Sequence, residues 1–367
     1  MGSPLKGLKV IELARVLAGP WIGQTLADLG ADVVKVESPD GDDTRKWGPP
    51  FVERDGDVSA AYFHSTNRGK TSLTLDFRDE ADRDRLVDMV RDADVLVENF
   101  KVGGLAKYGL DYANLCKVNP RLIYASVTGF GQTGPYAARA GYDLLIQGMS
   151  GIMDLTGEPD REPQRMGVAL SDIITGLYGV IGIQAALAER EVSGLGQQVD
   201  LALMDCMTSV LANQAMNYLA TGASPKRMGN AHVNIVPYQV FPVADGHVVI
   251  ACGNDRQYAA FCKVLNHEEW IDDARFKGNS DRIANRDAII GLLTDALSGW
   301  TRAEILAALE AVGVPAGPIN SVEEALNDPQ VLSRGLRIEP EGVPGLRTPI
   351  VFSRSELVCE KASPKKG

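Results

Sequence analysis

Four histidines and five cysteines are few for 367 residues, and none sit at metal-ligand spacing. Cys116, Cys206, Cys252, Cys262 and Cys359 are scattered, so no metal site and no disulfide framework is expected. They read instead as reduced thiols of a cytoplasmic protein, mostly in its core. Positive charge is also in deficit. Lys and Arg number 37 against 48 Asp and Glu, a net charge of −11, which argues against non-specific nucleic-acid binding. The opening Met1-Gly2-Ser3-Pro4 lacks the apolar segment of a secretory signal. Lys6 stands where a myristoylation motif wants Ser or Thr. No apolar run reaches about 18 residues without a Gly or a charge, so no membrane span is expected. A Gly-x-Gly-x-x-Gly turn is missing as well, which counts against a dinucleotide-dependent dehydrogenase.

What is present fits a large-cored α/β protein. Hydrophobic residues make up 45 % and charged ones 23 %, and the length suggests two domains at about 150 residues each. Leu8 to Leu13 reads as a strand, Gly19-Pro20 through Leu29 as a helix opened by proline, and Val33 to Val36 as a second strand. Further strands are expected at Leu73–Leu75, Val95–Val97 and Leu122–Ser126, separated by helices at Glu80–Val90 and Gly104–Leu115. Such βαβ alternation predicts a doubly wound parallel sheet. Val199 to Leu219 reads as one long helix, and Thr221 to Arg227 as a polar break. The expectation is a large domain over residues 1–224, a smaller α/β domain over 225–320, and a tail, 321–367, returning to the first. Within the smaller domain, a strand at His247–Ala251 precedes helices near Gln257–Leu265, Arg282–Leu297 and Arg302–Val312. Thr301 and Glu304 form a capping box for the last of these. Ala316 to Ile319 reads as a strand, and Ser321 caps a further helix.

One acidic residue draws attention. Asp172, in Gly167-Val-Ala-Leu-Ser-Asp172-Ile-Ile-Thr175, stands at the mouth of an apolar stretch from Ile173 to Ala188. As a helix this stretch is apolar all round, hence expected to be buried. Asp172 is expected at its N-cap, where free N–H groups and the helix dipole favour the ionised carboxylate. Gly176, Gly179 and Gly182 recur along it, each about 1 kcal/mol worse than Ala in a helix interior. Something should need that close approach. Capping a core helix explains Asp172 equally well, and local physics does not choose.

The chain resembles the class III CoA-transferase family, which includes the α-methylacyl-CoA racemases. Val168-Ala-Leu-Ser-Asp172, Gly182 to Arg190 and Ser193-Gly-Leu-Gly-Gln197 carry the resemblance. Leu5 to Leu13, Ala18-Gly-Pro20, Leu29 to Glu37, Asn67 to Leu73, Asp94 to Phe100, Gly129-Phe-Gly131, Gly313 to Pro318 and Asp328-Pro-Gln330 follow in family order. By that resemblance Asp172 is the covalent nucleophile, and the subunits form an interlocked, ring-like homodimer. Coenzyme A is then a substrate, with no tightly bound cofactor.

An acidic protein must gather its cations locally to hold coenzyme A phosphates. Arg45, Arg68, Lys70, Arg78, Lys101, Lys107 and Arg139 are the candidates, each equally readable as a solvated surface charge. The family positions imply coenzyme contacts from Val16, Leu17, Leu75, Arg78, Asn99, Phe100 and Lys107, with Arg139 near the diphosphate. Tyr142 stands where the racemase branch has His. A phenol of ordinary pKa near 10 is a poor base at neutral pH, so transfer is favoured over racemisation, with Tyr142 donating a hydrogen bond. The alternatives are a racemase or epimerase and a non-catalytic CoA-binding relative. Asn230, His232, Asn234 and Tyr238 are the expected acceptor-acid contacts, readable equally as a polar loop. Formyl-CoA:oxalate transferases carry Gln at the Leu17 position and an all-glycine loop where Cys252 to Gln257 has one glycine. A C4–C6 dicarboxylate such as succinate or glutarate is therefore the expected acid. The mechanism implied by the resemblance needs Asp172 ionised at neutral pH without a base.

Overall fold

Alternation of apolar residues toward both faces dictates a sheet covered by helices on each side. In the computed structural model, which describes residues 2–367, the chain runs β1 (Lys9–Glu12), α1 (Ala18–Asp28), β2 (Asp32–Glu37). A hairpin of β3 (Phe51–Arg54) and β4 (Asp57–Ala60) and the single turn α2 (Ala61–His64) lead to β5 (Thr71–Thr74). Then come α3 (Glu80–Arg91), β6 (Val95–Glu98), α4 (Tyr112–Val118) and β7 (Ile123–Thr128). Four helices follow around one more strand: α5 (Asp143–Met149), α6 (Ile152–Leu155), α7 (Leu170–Ser193), β8 (Gln198–Ala202) and α8 (Leu203–Ser209). The segment closes with α9 (Ala212–Thr221).

Six strands pair in parallel in the order β5-β2-β1-β6-β7-β8. Val10, Val95, Val97, Ile123 and Ala125 face Ile22 and Leu26 of α1 and Val180 and Ile183 of α7. Their neighbours Ile11, Leu96 and Tyr124 face Leu86 and Val90 of α3 and Leu115 of α4. The sheet is thus covered on both sides, as a doubly wound fold requires.

Contacts divide the chain into two units. The larger extends to Met153 and includes Arg165–Ala223 and Pro329–Gly367; the smaller is Asp154–Gln164 with Ser224–Asp328. The expected boundaries differ in three places: residues 154–164 group with the smaller unit, that unit resumes at Ser224 rather than at 225, and the returning tail begins at Pro329 rather than at 321. In the smaller unit, β9 (Tyr238–Val243), β10 (Gly246–Ala251) and, after the helices, β11 (Ala316–Pro318) form an antiparallel sheet. Packed with them are α10 (Asp255–Val264), α11 (Glu269–Asp272), α12 (Asn279–Ala284), α13 (Arg286–Leu297) and α14 (Arg302–Ala311). Phe241, Phe261 and Leu293 lie at the centre of that core. The Thr301–Glu304 capping box of α14 is present, with Thr301 N–H donating to Glu304 Oε2 at 3.0 Å.

Several expectations need correction. Val199 to Leu219 is not one helix: Gln198–Ala202 pairs with β7 as the sixth strand, and two short helices follow. The helix expected over Gly104–Leu115 is confined to Tyr112–Val118, preceded by a tight turn at Ala106–Tyr108. The one expected over Arg282–Leu297 is broken at Asn285, whose backbone leaves the helical region. Nor is α7 buried all round, since Leu177, Tyr178 and Ile181 are exposed. At 24 residues it is long and apolar enough, by length and composition, to cross a membrane; here Val180, Ile183 and Ala186 pack in the core.

Gly176 and Gly179 of α7 are explained by α1, whereas Gly182 faces Val199 of β8. A Cβ on Gly176 would lie 3.0 Å from Trp21 Cβ and 3.1 Å from Ala18 O, and one on Gly179 would strike the buried Ile22 side chain. The two helices therefore pack nearly backbone to backbone at these positions. Gly179→Ala should accordingly destabilise the protein by about 1–3 kcal/mol through overpacking, despite a helix-propensity gain of about 1 kcal/mol. Gly291→Ala, in α13 with open space around it, should stabilise by about 0.5–1 kcal/mol. Denaturant unfolding of the pair checks this, and equal shifts would contradict the close-packing account.

Candidate active site

Strand order reverses between the adjacent strands β1 and β6, the place where open α/β sheets leave a crevice beyond their carboxyl ends. Two clefts open there. The first is lined by Arg15, Glu37, Leu75, Asp76, Arg78 and Phe100, among others. The second, of about 440 Å³, brings together Val16, Asn99, Phe100, Lys107, Arg139, Tyr142 and Asp172. Seven of the expected site residues thus share one cleft, while Leu75 and Arg78 sit in its neighbour. Leu17 lines neither; it is buried at the start of α1.

Asp172 is not the cap of α7. The helix begins at Leu170, and Asp172 is its third residue. The capping carboxylate is Asp143, which opens α5: its Oδ1 accepts from Ser171 N–H at 2.9 Å and from Ser171 Oγ at 2.7 Å. Gln147 Nε2 donates to the other oxygen at 2.8 Å. Asp143 is thereby satisfied, and Asp172 is left half-buried and facing the cleft. Glycines bring α5 to this position. Gly129 and Gly141 meet backbone to backbone, where a Cβ on Gly129 would lie 2.8 Å from Gly141 N.

Burial, and then repulsion from Asp143, push the Asp172 carboxyl up to about 7, against the pull of the Ala18 backbone N–H. The expectation of a carboxylate fully ionised at neutral pH is therefore corrected. Near pH 7 the two forms are comparable, and each is close to the other in free energy. Tyr62 on α2 senses the same charges: burial, then Asp172 and Asp143, raise its phenol to about 12, so it stays protonated. Its ring stacks edge-on against Trp47, with centroids 5.3 Å apart. Tyr142 is 68 % exposed at the N-cap of α5, so its ring is not packed in the core.

The cations sort cleanly by burial. Arg45 is held by Glu37 at 2.7 Å, Arg68 by Asp28 at 2.6 Å and Lys70 by Glu12 at 2.7 Å, all buried. These three are structural partners and are withdrawn as phosphate ligands. Lys101, Lys107 and Arg139 line the cleft. The Arg139 guanidinium lies 4.5 Å from the Tyr136 ring centre, and Lys107 Nζ 4.6 Å from that of Tyr108. Arg78 is exposed and grips Asp76 at 2.7 Å, holding that carboxyl down at about 2. Glu98 shapes the Asn99–Phe100 turn by accepting from Phe100 N–H at 2.7 Å, although burial raises its carboxyl to about 7.

Asn230, His232, Asn234 and Tyr238 lie in the smaller unit. His232 Nδ1 accepts from Asn234 N–H at 3.0 Å, and its ring sits 5.1 Å from that of Tyr238. Asp43, Trp47, Tyr62 and Asp143 were missed as site residues. Only Asp143 carried a signal, as the residue following Tyr142. No group of three or more metal-ligating side chains occurs among the described residues.

A family model described as CoA-transferase family III matches residues 5–367. The chain is 54 % identical over 372 residues to a succinate–glutarate CoA-transferase of Agrobacterium fabrum, covering 99 % of this chain and 93 % of that protein. It is 45 % identical over 353 residues to an acetyl-CoA:oxalate CoA-transferase of Acetobacter aceti, covering 96 % and 90 %. A crystal structure of a CaiB/BaiF family protein from Brucella suis superposes with a TM-score of 0.91 at 61 % identity, covering 100 % of this chain and 97 % of that one.

The raised carboxyl at Asp172 has a consequence for stability. Its folded-state value of about 7 exceeds the ordinary 3.8, so the protonated form stabilises the fold; that contribution is complete below 3.8 and is lost as pH rises through about 7. Asp172→Asn removes this dependence. The melting-temperature advantage of the Asn variant should therefore widen between about pH 4 and 7 and then level off. A constant difference across that range would contradict the assignment.

Proposed function

Since the chain belongs to CoA-transferase family III, we propose that Asp172 is the covalent carrier through which it moves coenzyme A from an acyl-CoA to a free acid. The observation carrying this is the placement of Asp172: open to the cleft, in the first turn of α7, facing the Ala18 N–H. A carboxylate Oδ attacks the donor thioester carbonyl, the C–S bond breaks, and coenzyme A leaves as thiolate. The thiolate attacks the aspartyl carbonyl of the mixed anhydride, releasing the donor acid and leaving an aspartyl-CoA thioester. The acceptor carboxylate attacks that thioester and expels the thiolate. The thiolate then takes the acceptor acyl group and restores Asp172. Ala18 N–H and the α7 dipole support the oxyanions along this course, and the Tyr142 phenol offers a hydrogen bond.

Coenzyme A lies across the two clefts, with Val16, Asn99, Phe100, Lys107 and Arg139 along it and Leu75 and Arg78 toward the nucleotide end. The acids are C4–C5 dicarboxylates, succinyl-CoA as donor and glutarate as acceptor. The Agrobacterium relative's name supports this over oxalate, as does the single glycine in Cys252–Gln257. Two copies of the chain form an interlocked homodimer, a reading supported by the exposed Leu177, Tyr178 and Ile181 of α7 and Met216 and Leu219 of α9. Five unpaired thiols support a cytoplasmic setting.

Asp172→Ala should lose transfer by about three orders of magnitude or more while binding coenzyme A near normally; turnover retained in that variant contradicts the carrier role. In the native enzyme kcat/KM should climb tenfold per pH unit below about 7 and flatten above it, because only ionised Asp172 attacks. A profile flat from pH 5 to 8 at about constant KM would remove that group from the acid limb. Presented with succinyl-CoA and a panel of acids, the enzyme should exchange onto glutarate in preference to oxalate, followed by mass; a preference for oxalate would overturn the substrate reading.

A further inference from the structure

The turn joining β1 to α1 contains a backbone anomaly. Val16 has φ +72°, a left-handed conformation rarely adopted by a β-branched residue. Such a residue persists only where its surroundings over-determine it. Here each neighbouring peptide group is held. Asn99 Oδ1 accepts from Arg15 N–H at 3.0 Å, and Asn99 Nδ2 donates to Arg15 O at 2.6 Å. Lys35 Nζ donates to Ala14 O at 2.8 Å. Val16 N–H itself points at the Asp42 carboxylate, 3.3 and 3.4 Å from its two oxygens.

Asp42 is in turn fixed from behind. Lys35 Nζ lies 2.9 Å from it and 3.1 Å from Glu12, which also holds Lys70 at 2.7 Å. Glu12, Lys35, Asp42 and Lys70 are all buried, between 0 % and 3 % exposed. Asp42 N–H donates to Glu37, while Thr44 N–H and Oγ1 both donate to Asp42. Lys35 and Asp42 stand in the wall of the first cleft, and none of the four charges has a part in the transfer steps described above. Two residues beyond Val16, however, α1 opens at Ala18, which lines the same cleft as Asp172.

We propose that Asp42 is a positioning residue for the transfer reaction: by holding Val16 N–H it keeps the strained turn that aims the Ala18 amide at Asp172. The proposal rests on the reading of Asp172 as acyl carrier. Lys35 is the strut that keeps Asp42 in place, tying the turn to the buried pair of Glu12 on β1 and Lys70 just before β5. Strain is retained because the relaxed turn would swing the first amide of α1 away from the nucleophile. A misplacement of about 1 Å at such a donor costs up to about a hundredfold in rate.

The test is a double-mutant cycle with Val16→Gly, since glycine adopts positive φ freely and no longer needs the clamp. Asp42→Asn in the Val16 background should lower kcat about tenfold or more with KM for acyl-CoA changed less than about threefold. The same change in the Val16→Gly background should cost less than about threefold in kcat. Equal losses in the two backgrounds, a loss in KM alone, or no loss overturn the proposal. If Asp42→Asn does not fold, the paired change Lys35→Met with Asp42→Asn removes both charges and is compared across the same two backgrounds. Asp172→Ala is assayed alongside. An active Asp172→Ala refutes the carrier reading, whereas an inactive one beside a fully active Asp42→Asn refutes only the role of Asp42.

Discussion

The site depends on how one carboxyl group is balanced. Asp172 is pressed toward the neutral acid by burial and by Asp143, and toward the anion by the Ala18 amide. In the proposed course its ionised form attacks the thioester, and the same carboxylate is the group released from the mixed anhydride. The division of labour between the two aspartates makes this state available. Asp143 takes the capping hydrogen bonds of α7, and Asp172, one residue after the Ser171 it caps, is released from that duty.

Sheet order and helix packing converge on the same point. The reversal between β1 and β6 opens the crevice; Arg15, Val16, Asn99 and Phe100 hang from the ends of those two strands, and Asp172 enters from α7. The amino ends of α1 and α7 meet there because Gly176 and Gly179 let the helices approach nearly to backbone contact. Replacing the glycine-rich dinucleotide turn with a strained valine turn and a buried carboxylate leaves the fold unchanged and alters what its first loop presents. The same sheet that holds nucleotides elsewhere thereby presents a backbone amide to an aspartate.

Much of the large unit was legible in the sequence. β1, α1 and β2 follow from apolar runs punctuated by Pro20 and Gly30, and the parallel sheet follows from their alternation. β8 was not legible, because Gln198–Ala202 runs straight into the apolar helix α8 and only its pairing with β7 reveals it as a strand. The site residues near the two strand ends were named from resemblance, and the structure gathers seven of them in one cleft. What stayed hidden was partnership across long separations. Nothing local to Arg45, Arg68 or Lys70 announces Glu37, Asp28 or Glu12 as their buried partners. Asp143 lies 28 residues before Ser171, so its capping role, and with it the true position of Asp172 in α7, is a tertiary fact.

Isotope transfer tests the covalent role of Asp172 most directly. With an acceptor acid labelled with ¹⁸O in both carboxylate oxygens, each turnover through the aspartyl course leaves one labelled oxygen on the enzyme carboxyl. Mass analysis of the peptide containing Asp172 should therefore show ¹⁸O after turnover, and donor acid released in later turnovers should carry it away. Turnover that leaves that carboxyl unlabelled would mean the acyl group never passes through Asp172.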